Sequence, residues 1–222
     1  MRIAIFDIDG TLVRGSTERM FWRFLFRKRR QRLRQLLAYV LFFIRYLPTG
    51  GVHTAKKNKA YLCGLSVNEV QILADEFVDQ VLPQWFFEPA IQRLRQHRVR
   101  GDKVVLMSGT LDCLARALGR RLRADHVCAT LCSQRNGVYI AQPPEIHPFD
   151  AAKLSLTRQI TEQYGTDLGQ VAAYGDSRHD LFLLAAVGEA IAVCPDATLG
   201  TVAEELGWEV MAPPAMAGSL TH

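Results

Sequence analysis

Two aspartates stand one residue apart where an apolar run near the start of the chain ends. The stretch reads AIFDIDGTL, with Asp7 after Phe6 and Asp9 after Ile8. A carboxylate buried at the end of a hydrophobic strand is costly, so a pair of them requires a cation or a chemical task. Residues two apart in an extended strand point the same way, which lets both enter one pocket. An Asp-x-Asp pair can also cap a loop, and this stretch alone leaves both interpretations open.

The residues after this pair and after a second apolar run have the types that hold a phosphate. Gly10 gives the backbone freedom to turn, and Thr11 supplies a hydroxyl that pins the turn. The run KVVLM is followed by Ser108, Gly109 and Thr110, and then by a stretch with helical spacing. A hydroxyl and free backbone N–H groups at a helix N-terminus are a natural seat for a phosphate. We therefore expect a phosphate-binding site at this second strand end.

A third run, VAAY, is followed by GDSRHD, in which Asp176 ends the strand and Asp180 lies near the next helix. Ligands of open α/β sheets bind at the carboxyl ends of the strands, so we expect both residues to converge with Asp7 and Asp9. Four carboxylates together would repel one another unless a hard cation neutralised them, and oxygen ligands beside a phosphate indicate Mg²⁺. Lys153, early in the preceding helical stretch, is the candidate for a positive charge beside the phosphate.

Apolar runs and helical stretches alternate over most of the chain. This alternation predicts an α/β fold with a doubly wound, mainly parallel, Rossmann-like sheet and helices on both faces. The Asn-Gly pair in NGVYIA predicts a small antiparallel hairpin. The predicted strands are IAIF (3–6), KVVLM (103–107), VAAY (171–174) and AIAV (190–193), and the predicted helices between them are 111–122, 151–164 and 179–187.

The segment 15–89 interrupts this alternation and predicts a helical cap inserted after the first strand. The core domain would then comprise 1–14 and 90–222, and flexible links on either side of the cap would let it open and close. The predicted cap helices are one around 18–30, one over 33–47 ended by Pro48 and Gly50–Gly51, and one that begins with a capping-box pattern at Ser66-Val67-Asn68-Glu69.

The composition is typical of a folded soluble protein and excludes disordered and fibrous classes. Of 222 residues, 49% are apolar and 22% are charged. The odd number of five cysteines is not the pattern of a disulfide framework. The first residues lack the pattern of a secretory signal, so a cytoplasmic location is expected, and the end of the chain is expected to be a loose tail. The longest apolar stretch, 36–44, falls short of the ~20 residues of a membrane span.

Taken together, these motifs resemble those of the haloacid dehalogenase superfamily of phosphohydrolases, and more narrowly its phosphoserine-phosphatase-like branch, subfamily IB. The resemblance extends over nearly the whole chain through four motifs in the right order, DIDGT, SGT, Lys153 and GDSRHD. Relatives in this branch carry a helical cap of the C1 type after the first motif, in agreement with the insertion. The resemblance implies a Mg²⁺-dependent phosphatase that hydrolyses a small-molecule phosphate monoester.

The resemblance also implies a role for each motif residue. Asp7 would be the nucleophile that forms an aspartyl-phosphate, and Asp9 would act first as general acid and then as general base. Because expulsion of an alkoxide needs a proton donor, an aspartate at position 9 favours ester hydrolysis; phosphoryl transfer to a second substrate, as in a mutase, stays open. The implied phosphate-binding residues are Thr11, Ser108, Gly109 and Lys153, and the implied metal ligands are Asp7, Asp9 through its backbone carbonyl, Asp176, and Asp180 in or just outside that shell.

Two positions depart from the pattern of phosphoserine phosphatases. Those enzymes carry a glutamate nine residues after the nucleophile that grips the substrate's amino group, whereas this chain has Ser16 there and Glu18 two residues further on. The residue before the last aspartate of the fourth motif, often asparagine, is His179. A phosphoserine phosphatase proper and a lipid-phosphate phosphatase acting at a membrane surface therefore both stay open as alternatives.

The predicted cap is strongly basic. From Arg14 to Ala60 the chain has thirteen Lys or Arg and one acid, while the remainder carries a net charge of −7. Together with the apolar run 36–44, this suits peripheral contact with an anionic membrane or a greasy phosphorylated substrate. We favour the alternative that the arginines are a solvated helix face and the apolar run is the cap's own core or a homodimer contact. Nucleic-acid binding is not expected, since no such motif appears. A catalytically silent protein that binds an anionic surface is the non-enzyme alternative.

Overall fold

The computed structural model, which describes residues 1–29, 33–50 and 53–212, contains a parallel sheet built on the apolar runs of the sequence. All four predicted strands are present, and the second extends four residues further than predicted. The strands are β1 (Ile3–Phe6), β2 (Lys103–Leu111), β3 (His126–Thr130), β4 (Gln134–Arg135), β5 (Val138–Tyr139), β6 (Val171–Gly175), β7 (Glu189–Val193) and β8 (Glu209–Met211).

The main sheet has the order β3-β2-β1-β6-β7-β8, and all of its pairings are parallel. The central strand β1 pairs with β2 on one side and with β6 on the other, so three strand ends lie next to one another. Every residue of β1 is buried, as expected of a strand covered on both faces. This is the predicted doubly wound α/β fold.

Helices connect the strands at nearly the predicted positions. Those of the α/β part are close to prediction, apart from α8, a single turn after a 3₁₀ turn at Arg178–Asp180. The helices are α1 (Thr17–Arg27), α2 (Leu33–Gly50), α3 (His53–Lys57), α4 (Val67–Gln80), α5 (Glu88–Arg100), α6 (Asp112–Leu122), α7 (Ala151–Gln163), α8 (Leu181–Leu184) and α9 (Ala197–Leu206).

Two local predictions were wrong. Helix α2 passes Pro48 and ends at Gly50. Helix α4 begins after Ser66 as expected, but the Ser66 side chain makes no capping hydrogen bond. The helix predicted over 111–122 is present from Asp112, and β2 continues through Ser108-Gly109-Thr110 with a register shift.

Between β1 and α5 the described residues form helices α1 to α4 and short 3₁₀ turns, without a strand of the sheet, as predicted for the insertion. The chain enters and leaves this segment side by side, since Val13 bridges to Phe86 and the Phe87 amide donates to the Leu12 carbonyl at 2.9 Å. Helix α4 packs against α6, where the Gln71 side chain donates to the Cys113 carbonyl at 3.2 Å.

Helix α2 buries only part of its apolar run, so the cap's own core accounts for one side of the run and not for the other. Gln35 and Phe42 are buried, yet Leu37, Leu41 and Ile44 are more than half exposed. The run is therefore core on one side only. A helix with apolar residues all round buries a single face when just one face meets a neighbour.

The remaining features agree with the sequence. The Asn136-Gly137 turn joins β4 and β5 with both residues at positive φ, as the tightest hairpin turns require. All five cysteines are free thiols. Within the described ranges no helix is both long and apolar enough to cross a bilayer. The predicted tail, from residue 213 onward, lies outside the described residues.

Candidate active site

Three carboxylates meet at the carboxyl edge of the sheet. Asp7 follows β1, and its amide donates to the Tyr174 carbonyl at 3.0 Å, which ties it to the end of β6. Asp176 follows β6, and Asp180 lies in the 3₁₀ turn that follows. One carboxylate oxygen from each of these three aspartates lies within 4.8 Å of the others. The convergence predicted for Asp7, Asp176 and Asp180 is therefore present in the structure.

Lys153 joins this cluster from the first turn of α7. Its ammonium donates to Asp7 Oδ1 at 2.8 Å and to Asp180 Oδ1 at 2.5 Å, and all three side chains are buried. The other oxygen of Asp180 accepts from the Asp176 amide at 3.3 Å and from the Ser177 amide at 3.2 Å. Asp180 is thus held by Lys153 on one side and by the turn on the other.

Burial and mutual repulsion set the ionisation of this cluster. Burial raises the pKa of Asp176 to about 8, and the charges of Asp7 and Asp180 add to the increase. Burial also raises the pKa of Asp7, while Lys153 opposes that shift. Burial alone would lower the pKa of Lys153, but the two carboxylates beside it raise it overall. Lys153 therefore stays charged and neutralises one carboxylate.

Two glycines make room for the carboxylates. Gly10 has a φ of +84°, and a Cβ there would collide with Asp176 Oδ2. A Cβ on Gly175 would lie 2.6 Å from the Cβ of Asp180. Any larger residue at either position would push a carboxylate out of the cluster.

Asp9 is directed into a different environment from Asp7. Its Oδ1 accepts from the Thr17 amide at 3.0 Å and from the Thr17 hydroxyl at 2.6 Å, and that hydroxyl is 2.7 Å from the Thr110 hydroxyl. Burial raises the pKa of Asp9, while the two hydrogen bonds from Thr17 oppose the shift. Its carboxylate is not among the three clustered ones, so any contribution to a metal would come from its backbone carbonyl, as the resemblance implies.

The predicted phosphate-binding residues differ in their surroundings. Ser108 is buried, and its Oγ accepts from the Thr110 amide at 3.3 Å, which links it through Thr17 to Asp9. Gly109 is half-buried in the β2 irregularity. The Thr11 hydroxyl was expected to pin the turn, but it is buried and makes no hydrogen bond to any described residue, because the turn is closed by backbone bonds instead.

A cleft of about 370 Å³ beside the SGT segment contains residues that the sequence did not single out. Phe149 and Asp150 line it from the loop before α7, and Lys56 lines it from α3. The Lys56 ammonium lies 3.9 Å from the centre of the Phe149 ring and 2.9 Å from His179 Nε2, while His179 Nδ1 is 2.7 Å from Asp150 Oδ1. These contacts join α3 to the fourth motif, and no spacing in the sequence signals them.

His147 lines the same cleft. Its Nδ1 bonds to the Thr130 hydroxyl at 2.8 Å, and a Cβ on Gly109 would lie 3.6 Å from its ring. Burial, with Lys59, Lys57 and Lys56 nearby, lowers the pKa of His147 to about 4. A neutral imidazole therefore lies beside the predicted phosphate seat.

The two departures from the phosphoserine phosphatase pattern have structural counterparts. Ser16 is the N-cap of α1 and accepts from the Arg19 amide at 3.4 Å. Glu18 binds the Lys59 ammonium at 2.5 Å and the Tyr61 hydroxyl at 2.8 Å. The nearest glutamate is thus already paired with a buried lysine.

The three carboxylates fit a hard divalent cation. All the offered ligand atoms are oxygens, which suits Mg²⁺. With Lys153 balancing one of the three negative charges, two remain. The room that Gly10 leaves for Asp176 keeps the oxygens close enough to share one ion.

Comparison with known proteins shows which protein family this chain matches. The model of the family described as haloacid dehalogenase-like hydrolase matches residues 4–185. The phosphoserine phosphatase SerB1 of Mycobacterium tuberculosis is 28% identical over 93% of this chain and 69% of its own length. A protein of unknown function from Bordetella pertussis Tohama I shares 26% identity with a TM-score of 0.79, covering 95% of this chain and 97% of that one. A substrate-bound phosphoserine phosphatase complex shares the fold, with 18% identity, a TM-score of 0.65, and coverage of 95% of this chain and 92% of that one.

Proposed function

The chain belongs to the haloacid dehalogenase-like hydrolase family, and from that premise we propose that it is a Mg²⁺-dependent phosphatase that forms an aspartyl-phosphate at Asp7. The observation that carries the proposal is the buried contact of Lys153 with Asp7 and Asp180, beside Asp176. A nucleophilic carboxylate, a fixed cation and an all-oxygen metal site are the groups that phosphoryl transfer to an aspartate requires.

In the first half-reaction, an Asp7 oxygen attacks phosphorus while Asp9 donates a proton to the leaving oxygen. Lys153 orients the Asp7 carboxylate through its 2.8 Å hydrogen bond and offsets charge on the phosphate. Ser108 and the Gly109 amide hold phosphate oxygens. Bound Mg²⁺, held by Asp7, Asp176 and the Asp9 carbonyl, would neutralise the phosphate and fix its orientation.

In the second half-reaction, Asp9 has lost its proton and becomes the base that activates water against the aspartyl-phosphate. The raised pKa of Asp9 favours the protonated form that the first step needs, and the Thr17 hydrogen bonds stabilise the ionised form that the second step needs. Asp180 acts by positioning Lys153 and the turn after β6. The Thr11 hydroxyl, which is buried and makes no hydrogen bond to any described residue, would take a phosphate oxygen as its partner.

We propose that residues 15–89 are a cap over a core of 1–14 and 90–222. The adjacent crossing points at Val13–Phe86 and Leu12–Phe87 support a hinge there. The leaving group would enter the cleft beside Lys56, Phe149 and His147, and cap closure would exclude water. Because the five cysteines are free, a reducing compartment is supported, and the cytoplasm is the proposed location.

The proposed substrate is a small organic phosphate monoester. Phosphoserine is the second candidate, favoured by the mycobacterial relative that is named a phosphoserine phosphatase. To grip the amino group of phosphoserine, Glu18 would have to exchange its Lys59 partner for the substrate, because Ser16 has no carboxylate. This places phosphoserine behind monoesters that lack an ammonium group.

Phosphate release from a panel of amino-acid, sugar, nucleotide and lipid head-group monoesters tests the proposal. Wild-type protein should release phosphate only with Mg²⁺, and Asp7→Asn should abolish release while keeping the fold. Trapping of radiolabelled phosphate on wild type but not on the variant would support the covalent intermediate. Absence of both release and trapping across the panel would contradict the proposal and favour the silent, surface-binding alternative. Trapping followed by transfer to an added alcohol would indicate a phosphotransferase.

A further inference from the structure

Helix α2 presents a continuous apolar stripe to solvent. Its seven members recur every three or four residues and are 47% to 80% exposed. Large apolar side chains scattered singly on a surface need no explanation, but a stripe this long on one helix indicates a contact surface. The members of this α2 stripe are Leu33, Leu36, Leu37, Val40, Leu41, Ile44 and Leu47.

The opposite face of α2 is fixed to the rest of the molecule, so the stripe cannot turn inward. Gln35 is buried and donates to the Cys63 carbonyl at 3.1 Å, and Phe42 is 2% exposed. The Tyr39 carbonyl accepts from the Asn58 side chain at 3.0 Å. Gln35, Tyr39 and Phe42 recur at helical spacing on the inward face of α2, and the stripe occupies the opposite, outward face.

Positive charge predominates along the stripe. Exposed Arg34 and Arg45 flank it near its two ends, and α1, which precedes α2 in the chain, carries exposed Arg23 and Arg27. From Arg19 to Asn68 the sequence contains twelve Lys or Arg and not one Asp or Glu. The surface around the stripe is therefore complementary to an anion.

Self-association would oppose this charge. In a two-fold symmetric dimer the same patch meets itself, so Arg34 and Arg45 of both copies would come together. The sequence from 19 to 68 offers no carboxylate to pair with them. A second copy would bury the apolar side chains but would bring like charges together.

We propose that the α2 stripe docks on the surface of a bilayer rich in anionic lipids. From Leu33 to Leu47 the helix rises about 21 Å, long enough to lie in the interface with its aliphatic side chains among the acyl chains. Arg45, whose long stem packs along apolar surface while its charge stays outside, reaches the lipid phosphates. Arg34 keeps one N–H on the Gly64 carbonyl at 3.0 Å and offers its other N–H groups to them. No described helix meets the requirements for spanning a membrane, so the contact is peripheral.

This proposal goes beyond the phosphatase chemistry and has its own readout. Full-length protein is mixed with sedimenting vesicles of phosphatidylcholine alone or of phosphatidylcholine and phosphatidylglycerol in equal parts. We expect the partition coefficient to be at least about tenfold higher on the anionic vesicles and to fall when salt is raised. Equal partition on both vesicles, or none on either, would overturn the proposal.

Matched variants separate the stripe from general hydrophobicity and charge. Leu41→Gln with Ile44→Gln should lower partition at least about tenfold, whereas Ile72→Gln with Val99→Gln, which alters residues at least as exposed on α4 and α5, should leave it unchanged. Arg45→Gln should lower partition about fivefold, and Arg100→Gln should not. Each variant must keep wild-type hydrolysis of a soluble aryl phosphate and a wild-type circular dichroism spectrum.

Two further outcomes would contradict the proposal. If light scattering without vesicles shows a dimer that the stripe variant converts to monomer, the stripe is an interface between copies. If partition is the same in stripe and control variants, another surface binds the vesicles.

Discussion

At the scale of single residues, Asp7 and Asp9 share a strand end but have different partners. Lys153 contacts Asp7, the proposed nucleophile, while Thr17 holds the Asp9 carboxylate away from the cluster. Two carboxylates in different environments can take different roles in one reaction, because their surroundings set which is ionised and which carries a proton.

The first prediction concerns the acid role of Asp9. Asp9→Asn should lower kcat for an alkyl phosphate at least about 100-fold, because the leaving alkoxide then lacks a proton donor. For p-nitrophenyl phosphate the rate of the first half-reaction should fall less, because the p-nitrophenolate leaving group departs without a proton. Burst kinetics on the two substrates measure this. Equal losses in the burst rate would contradict the assignment of Asp9 as general acid.

A second prediction concerns the space that Gly10 leaves for Asp176. Gly10→Ala adds a Cβ that collides with Asp176 Oδ2, so the Mg²⁺ concentration for half-maximal activity should rise at least about tenfold. Gly101→Ala is the matched control, since Gly101 also has a φ of +84° but has no atom within 4 Å of the added Cβ. Both variants place an alanine at positive φ, which costs about 1 kcal/mol of backbone strain. Only Gly10→Ala should also bind the metal more weakly. Equal metal requirements would contradict the assigned site.

A third prediction gives the pH dependence of the buried cluster. Without Lys153, the charges of Asp7 and Asp180 are left buried and unpaired, so Lys153→Met should destabilise the metal-free protein by about 3–5 kcal/mol at pH 8. Burial raises the pKa values of Asp7 and Asp176, so these groups favour the folded protein at low pH, where they are protonated. Their contribution to the free energy of unfolding is lost as pH rises through those raised pKa values. The destabilisation should therefore be smaller at pH 5.5. Urea titrations in EDTA measure it.

Lys103→Met is the control for that measurement. Lys103 pairs with Asp125 at 2.7 Å on the surface, where water screens both charges. Its removal should change stability little at either pH. A destabilisation of Lys153→Met that is the same at both pH values would contradict the cause we assign.

At the scale of elements, the strand ends explain why much of the site could be predicted. Asp7, Asp176 and the SGT segment follow three apolar runs, and parallel strands place such residues at one edge whatever their distance in the chain. The insertion was equally predictable, because its helical spacing interrupts the alternation of strands and helices. The end of α2 was not, since tertiary context overrode the usual effect of Pro48 on a helix.

Long-range contacts of the cap segment could not be predicted, because they depend on how helices pack. Lys56 meets His179 across 123 residues, and Lys59 meets Glu18 across 41. Neither pair has a spacing that a local rule recognises. In the sequence, Lys56 and Lys59 are only two of the many basic residues of this segment.

The fourth prediction tests the contact of α3 with the fourth motif. Lys56→Ala removes the ammonium from Phe149 and His179, so the closed position of the cap loses a contact. We expect KM to rise about three- to tenfold with kcat within about twofold, as for other partly exposed contacts. Lys57→Ala, at the neighbouring cleft residue, is the control and should leave KM unchanged. Equal effects of the two variants would indicate a general loss of positive charge instead.

At the scale of the whole molecule, one hydrophobic cluster runs through both the cap segment and the sheet. Phe21 and Phe77 from the cap helices belong to the same buried cluster as Phe6 and Leu106 from the central strands. The ion pairs Arg120–Asp75 and Arg121–Asp79 add further connections between α6 and α4. The cap opening that we propose is therefore expected to be a small movement at the rim, since a large one would expose this shared core.

The last prediction follows from that shared cluster: cap and core should unfold together. Trp22 lies on α1 and Trp208 lies beside β8, so variants that keep only one tryptophan, with the other two changed to Phe, report the two regions separately. Urea transitions of both variants should coincide with each other and with circular dichroism after correction for the stability change of each variant. An earlier transition at Trp22 would show that the cap segment unfolds alone. Coincidence would mean that the cap segment and the sheet unfold as one unit, as the buried cluster that they share requires.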